Sequence, residues 1–424
     1  MSESLDTEAQ RFLSDFATWS GFGATPDGGL HRLAGSRTHA QARQWLAERL
    51  TEWGAHTSFD RIGNLFGRFE WVPGAPYVLV GSHSDSQPNG GRFDGALGVL
   101  AAAHAATRID RAVRTGTTAP RFNLAVVDWF NEEGARFTPS VMGSGCFTGG
   151  LDTDRLLATA DLDGVTVAAA LTATGMRGDD AGPPAVAYAE LHIEQGRELD
   201  DSGDRIGAVT ANWAVRKCTV VVHGEQSHTG ATSMADRRDA LVGAAHVVLA
   251  VRDVANSFPA DEVLSAVGRI HVEPGSPVVV PSRVTLNVDL RAHSAARLDE
   301  AYTQLVAAFN AITATGENTV EIADCALRET EPFWPAGVRI AHKAAADAGF
   351  PVRDLMTRAG HDAVALNRVV PTILAFVPSV NGVSHSAHEF TRDCDLLAGV
   401  DVLTSIAEQL VTSLPHPSEP RSAI

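Results

Sequence analysis

Four short, almost uninterrupted apolar runs stand out along the chain: Tyr77–Val80, Phe122–Phe130, Ala187–Ile193 and Pro371–Val377. Each is too short for an ordinary helix and is rich in β-branched or aromatic residues, which predicts buried strands. Helical spacing of apolar positions covers Glu8–Trp19, Thr38–Trp53, Ile340–Gly349 and Leu396–Leu414, with Ser36 or Thr38 able to cap the second. The small-residue segment Ala96–Ala106 reads as a packed helix, and Leu151–Gly175 as an alanine-rich helical region interrupted at Gly164. Phe59–Phe69 predicts a hairpin turn between short strands, Arg108–Arg121 a polar loop, and the last ten residues a frayed end. Strands alternating with helices in this way predict an α/β architecture.

The texture changes at about Arg216. Cys218–His223 alternates like a strand, Asp239–Val254 is amphipathic, and Val263–Val272, Val284–Leu290 and Thr319–Leu327 are further strands, with a helix at Leu298–Thr313. This β-α-β-β-α-β order predicts a separate α+β domain. The α/β texture resumes after Pro332. We therefore expect one domain from about residues 1–215 and 330–424, with a second inserted at about 216–329.

A chain of 424 residues is long enough for two cores, and 44% hydrophobic with 20% charged residues is a soluble globular balance. The net charge of −17 argues against nucleic acid and anionic membranes as partners. No apolar run approaches a membrane span, and the polar N-terminus lacks the regions of a signal peptide. Cys146, Cys218, Cys325 and Cys394 lie far apart without paired spacing, so neither a disulfide framework nor a cysteine zinc site is expected. These features together predict a cytoplasmic protein.

Chemistry concentrates where the buried strands end. His83 and Asp85 follow the first, with Asp94 before the next helix; Glu132 and Glu133 follow the second, and His192 closes the third. Beyond the fourth come His385 and Glu389. Any one of these alone reads as an ordinary loop residue. Their recurrence at the C-terminal ends of buried strands, where α/β proteins bind ligands, points instead to one site. Imidazoles with shared carboxylates are the ligand set of Zn²⁺, Mn²⁺ or Co²⁺. Two such ions activate water and polarise a carbonyl, and a carboxylate beside a ligating one can serve as general base. In a simple strand only one of Glu132 and Glu133 could face the ions; the pair suits one ligand plus one base if the strand breaks there.

The segments GSHSDSQPNGGRFDGALGVL, FNEEGARF, LHIEQG, HTGATSM with RRDAL, NVDLR, AGHDA and FVPSVNGVSH with its trailing Glu389 resemble, in order and spacing, a family of metal-dependent amidases. These are the N-carbamoyl-L-amino-acid hydrolases, allantoate amidohydrolases and β-ureidopropionases. The resemblance runs from Gly63-Asn64-Leu65-Phe66-Gly67 to Glu389. It implies an aminopeptidase-like catalytic domain with a mixed central sheet and an α+β (ferredoxin-like) lid that also forms a homodimer. It further implies two divalent ions, with His83 and His192 on different ions, Asp94 bridging, and Glu133 and His385 as the remaining ligands. By the same resemblance Glu132 is the general base, Asp85 orients His83, and His228 stabilises the oxyanion. Arg291 then clamps a substrate carboxylate, and Gln195 is a substrate or supporting amide. His361 lies in a matched segment near the site.

The chain also departs from that pattern. Val278 stands where an asparagine is usual, Arg358 where a small residue is usual, and Ser84 and Ser86 replace common Leu and Thr. The ion site looks intact and the substrate pocket altered. The expected activity is hydrolysis of a linear amide or ureido C–N bond in a small carboxylate-bearing substrate, foremost an N-carbamoyl amino acid. An N-acyl amino acid deacylase or dipeptidase is the rival within enzymes, and a non-catalytic binding protein on a former enzyme fold is the rival outside them.

Overall fold

The computed structural model describes residues 2–414, so the tail expected to fray lies outside the described residues. In chain order the strands are β1 (His56–Phe59), β2 (Leu65–Phe69), β3 (Tyr77–His83), β4 (Asn123–Trp129), β5 (Ala185–Ile193) and β6 (Ile206–Asn212). They continue with β7 (Ala214–His223), β8 (Ser227–His228), β9 (Val263–Glu273), β10 (Val279–Val280), β11 (Arg283–Ala292) and β12 (Thr319–Arg328). β13 (Val352–Thr357) and β14 (Thr372–Val377) complete the set. The chain divides into two compact units, with Ala211–Glu331 as the second.

In the first unit eight strands form a mixed sheet in the order β1-β2-β4-β3-β5-β14-β6-β13. β4, β3, β5 and β14 run parallel at its centre, so their C-terminal ends share one edge. Every residue of β3 and β4 is buried, as their unbroken apolar runs require. Alternate side chains serve opposite faces. Val78, Val80, Leu124, Val126, Ala189 and Leu191 join one core cluster, whereas Leu79, Ala125, Val127 and Tyr188 join another. The long helices Ala96–Arg114 and Asp393–Ser413 belong to the first of these layers.

Small residues set how closely these layers meet. A Cβ on Gly98 would lie 2.1 Å from the Leu191 carbonyl oxygen, so the helix can lie on β5 only with glycine there. The expected polar loop at Arg108–Arg121 is corrected in its first half. The helix runs on to Arg114, because Ile109 continues its buried face, and Asp110 accepts a hydrogen bond from Trp71. Ser36 is the cap of Arg37–Glu52, accepting from the His39 amide. The region Leu151–Gly175 holds two short helices, Thr153–Leu157 and Val167–Thr174, with the turn at Gly164 between them.

The second unit is a four-stranded antiparallel sheet in the order β12-β7-β11-β9, with helices Ala240–Asn256 and Ala295–Ala314 sharing its core. Asp239 and Ser294 cap those helices. One expectation fails here. Cys218 and Cys325 face each other across β7 and β12 and form a disulfide, although 107 residues separate them in sequence. Among the described residues no helix is long and apolar enough to cross a membrane.

One buried ion pair ties helix Arg37–Glu52 to the central sheet. Arg43 donates through Nε to Asp128 Oδ2 at 2.9 Å, and through its other nitrogens to the carbonyls of Asp128 and Gly63, with both side chains fully buried. Removing one partner strands the other charge in the core. Arg43→Met is expected to cost about 3–5 kcal/mol in denaturant unfolding; a loss under about 1 kcal/mol would show that the pair is dispensable.

Candidate active site

The four parallel strands deliver the chemistry to their common edge. β3 ends in His83, β5 carries His192 one residue from its end, Glu132 and Glu133 follow β4, and His385 follows β14. Asp94 lies just before helix Ala96–Arg114, where the helix's positive end favours a carboxylate. Gly95 has φ of 63°, and a Cβ there would lie 2.3 Å from the His83 ring, so glycine is what lets the two meet.

Asp94 is the meeting point. Its Oδ1 lies 3.1 Å from His192 Nε2 and 3.6 Å from His83 Nε2. Its Oδ2 lies 3.2 Å from His385 Nε2, which is 3.4 Å from Glu133 Oε2. Two groups of ligand atoms result, His83–Asp94–His192 and Asp94–Glu133–His385. This grouping corrects the expectation that His83 and His192 serve different ions. β3 and β5 are adjacent parallel strands, so their terminal imidazoles emerge side by side, with ring centroids 5.8 Å apart. Each group offers imidazole and carboxylate donors of the kind Zn²⁺, Mn²⁺ and Co²⁺ accept, and Asp94 is common to both.

The strand does break after β4. Asn131 adopts φ of 55°, and the Glu132 and Glu133 amides both donate to the Asp85 carboxylate, at 3.2 and 3.3 Å. Both glutamates thereby belong to the site, with Glu132 Oε2 3.7 Å from His83 Nε2. Asp85 thus does more than orient His83. Its carboxylate grips the glutamate turn, while its main-chain oxygen lies 3.0 Å from His83 Nδ1. Asn64 secures the same turn from the other side, accepting from the Phe130 amide and donating to the Gly143 carbonyl.

Gln195, at φ of 60°, donates to Asp94 Oδ2 at 2.7 Å, and Ser384 bridges Asp94 and Glu389. Glu389 accepts from the Phe93 and Asp94 amides, which anchors the Asp94 loop. His361 is 1% exposed and packs edge-on behind His192, with centroids 4.4 Å apart. Asp94, Glu389 and Gln195 therefore form one hydrogen-bonded set, and His361 a backing ring. Arg358 pairs with Glu198.

Crowding of buried carboxylates shapes their titration. Burial, with Glu133, Asp85 and Asp94 nearby, raises Glu132 to about 8, although His83 opposes it. Burial and Asp94 likewise raise Glu133 to about 7, and Glu389 reaches about 7 for the same reasons. Against burial, Asp94 and Glu133 lift His385 to about 9. Asp94 itself is buried, yet three histidines hold it well below the carboxylate range.

The other expected substrate handlers belong to the second unit. His228 lies in β8, paired with Val279 of β10, and its Nδ1 accepts from the amides of Gly230 and Ala231 at 3.0 and 3.1 Å. That leaves the neutral ring's proton on Nε2, as a donor. Val278, beside this pair, is 61% exposed. Arg291 is engaged side-on by Asp289 at 2.8 and 2.9 Å, two residues back on the same face of β11. Sequence reasoning passed over Gln87, whose side chain donates to Glu133 Oε2 at 2.8 Å; only its place between two site motifs could have flagged it.

Residues 79–409 match the model of Peptidase family M20/M25/M40. The chain is 47% identical to a protein of Mycolicibacterium smegmatis named only as a hydrolase, over 96% of this chain and 94% of that one. It is 35% identical to an N-carbamoyl-L-amino acid amidohydrolase of Geobacillus stearothermophilus, over 92% of this chain and 95% of the other. The crystal structure of an amidase of the hydantoinase/carbamoylase family from Burkholderia vietnamiensis superposes with a TM-score of 0.88 at 33% identity. That match covers 96% of this chain and 98% of the other.

These shifts fix how metal removal should depend on pH. Glu132, Glu133, Glu389 and His385 all hold protons in the folded, ion-free site to higher pH than their ordinary values of 4.5 and 6.5. The folded state then binds more protons than the unfolded one, so ion-free stability falls as pH rises from about 5 through 9. A divalent ion held by these groups would replace those protons. The rise in melting temperature on adding Mn²⁺ or Zn²⁺ to chelated protein should therefore be larger at pH 8 than at pH 6. A rise independent of pH would contradict this account.

Proposed function

The chain belongs to Peptidase family M20/M25/M40 and is an amidohydrolase of its hydantoinase/carbamoylase branch, and from that premise we propose that it hydrolyses a linear ureido or amide C–N bond in a small carboxylate-bearing substrate, foremost an N-carbamoyl amino acid. The observation that carries this reading is the pair of ligand groups meeting at Asp94, with Glu132 alongside. The family is metal-dependent, and bound divalent ions would supply Lewis-acid polarisation of the carbonyl and an acidified water. His83, Asp94 and His192 would hold one ion, and Asp94, Glu133 and His385 the other.

Glu132 accepts the water's proton in this reading and passes it to the leaving nitrogen. Burial and the neighbouring carboxylates of Glu133, Asp85 and Asp94 raise its pKa to about 8, which strengthens it as a proton acceptor. His228, with its Nε2 proton fixed by the two amides on Nδ1, donates to the oxyanion that develops at the carbonyl. Arg291 is the carboxylate clamp, with Asp289 orienting its guanidinium. The second unit serves as lid and as the surface of a homodimer.

Val278 makes the substrate pocket specific to this chain. An exposed valine offers a ureido or carboxylate group no hydrogen bond, so an apolar neighbour of that group is favoured there.

Glu132→Gln is expected to keep both ions and lower kcat by about 10²–10⁴-fold, read as ammonia release from N-carbamoyl amino acids and allantoate and as free amino acid released from N-acyl amino acids. Ion-loaded protein that turns over only N-acyl compounds would replace the ureido assignment by a deacylase. Val278→Asn is expected to raise kcat/KM on plain N-carbamoyl amino acids by roughly tenfold. An unchanged value would remove Val278 from the pocket.

A further inference from the structure

The two ligand groups are supported by different means. Around His83 and His192 the donors are 1% exposed, and main-chain carbonyls fix both rings: Asp85 O lies 3.0 Å from His83 Nδ1, and Ile193 O lies 2.9 Å from His192 Nδ1. Such support does not depend on any one side chain. The Asp94–Glu133–His385 group is held differently. His385 has a side chain 49% exposed and a backbone at φ of 54°, outside the range that most residues prefer.

Glu133 is instead held by one residue. Gln87 donates its main-chain N–H to Oε1 at 3.1 Å and its side-chain amide to Oε2 at 2.8 Å, with the same amide 3.3 Å from the Glu133 carbonyl oxygen. Gln87 is itself fixed in a turn, where its carbonyl accepts from the Ser86 hydroxyl and the Gly90 amide. A carboxylate oxygen has two lone pairs. With one on Oε2 taken by Gln87, the other is left for the side where His385 Nε2 lies, 3.4 Å away. A neutral amide does this without cancelling the charge that an ion needs, whereas a lysine or arginine would compete with it.

We propose that Gln87 is the positioning residue for Glu133, and that it sets the affinity of the ion held by Asp94, Glu133 and His385, which is the more readily exchanged of the two. This rests on the two-ion reading given above. Gln87 orients a ligand and touches neither substrate nor the reacting atoms.

The test is a chelator titration of the full-length, ion-loaded protein, with bound Mn²⁺ or Zn²⁺ counted by elemental analysis at each chelator concentration. Wild-type protein should release two ions in two steps. Gln87→Met, which keeps the chain length and the main-chain contact but loses the amide, should release the first ion at about 10- to 100-fold lower chelator. Its second step should be unmoved. Its kcat at low free metal should fall and recover as metal is raised, with KM unchanged, which a merely structural defect would not show. His385→Ala, lacking a ligand of the same group, should abolish the first step alone. If wild type releases two ions and Gln87→Met matches it, or loses both ions equally, the assignment to Gln87 is wrong. If wild type never holds two ions, the two-ion reading falls and this assignment falls with it.

Discussion

Like charges brought together out of water are the constraint on which the first unit depends. Asp85, Asp94, Glu132 and Glu389 are all buried and lie within one loop cluster. Left to themselves they would repel, and each would cost several kcal/mol to desolvate. The fold answers with oriented donors. Backbone amides of residues 93, 94, 132 and 133 point at Glu389 and Asp85, and three imidazoles converge on Asp94. A parallel sheet is suited to this, because adjacent strands end together and each loop reaches the same edge.

The packing behind the site follows from that need for precision. Gly95 admits the His83 ring and Gly98 admits the β5 backbone, so the helix that presents Asp94 lies hard against the strands that present the histidines. Arg43 and Asp128 brace the β2 and β4 side of the sheet with a charge pair that tolerates no missing partner. Several site residues adopt left-handed backbone conformations: Asn131, Gln195 and His385. Such conformations cost free energy and persist where surrounding hydrogen bonds over-determine them. Here the Phe137 carbonyl, the Ser379 hydroxyl and Asp94 supply those bonds.

What could be read from the sequence was whatever is local. Buried strands announce themselves as apolar runs, and the residue that follows such a run is at the sheet edge whatever the strand order. His83, Glu132, Glu133, His192 and His385 were therefore legible as a set. How the set divides was not. Placing His83 with His192 requires knowing that β3 and β5 are neighbours, and nothing within either segment encodes that. The Cys218–Cys325 pair was hidden for the same reason, since it depends on the register of strands separated by 107 residues. Asp85 shows a further limit. Its type and position were apparent, yet whether its carboxylate or its carbonyl meets His83 is decided by one loop's dihedral angles.

The same reasoning separates residues held by buried strands from those carried on exposed loops. His83 and His192 are tightly constrained, because moving either one requires moving a buried strand. Val278, beside the two-residue pairing of β8 and β10, has no such anchor. Its side chain is exposed and packs no core, so it can change without cost to folding.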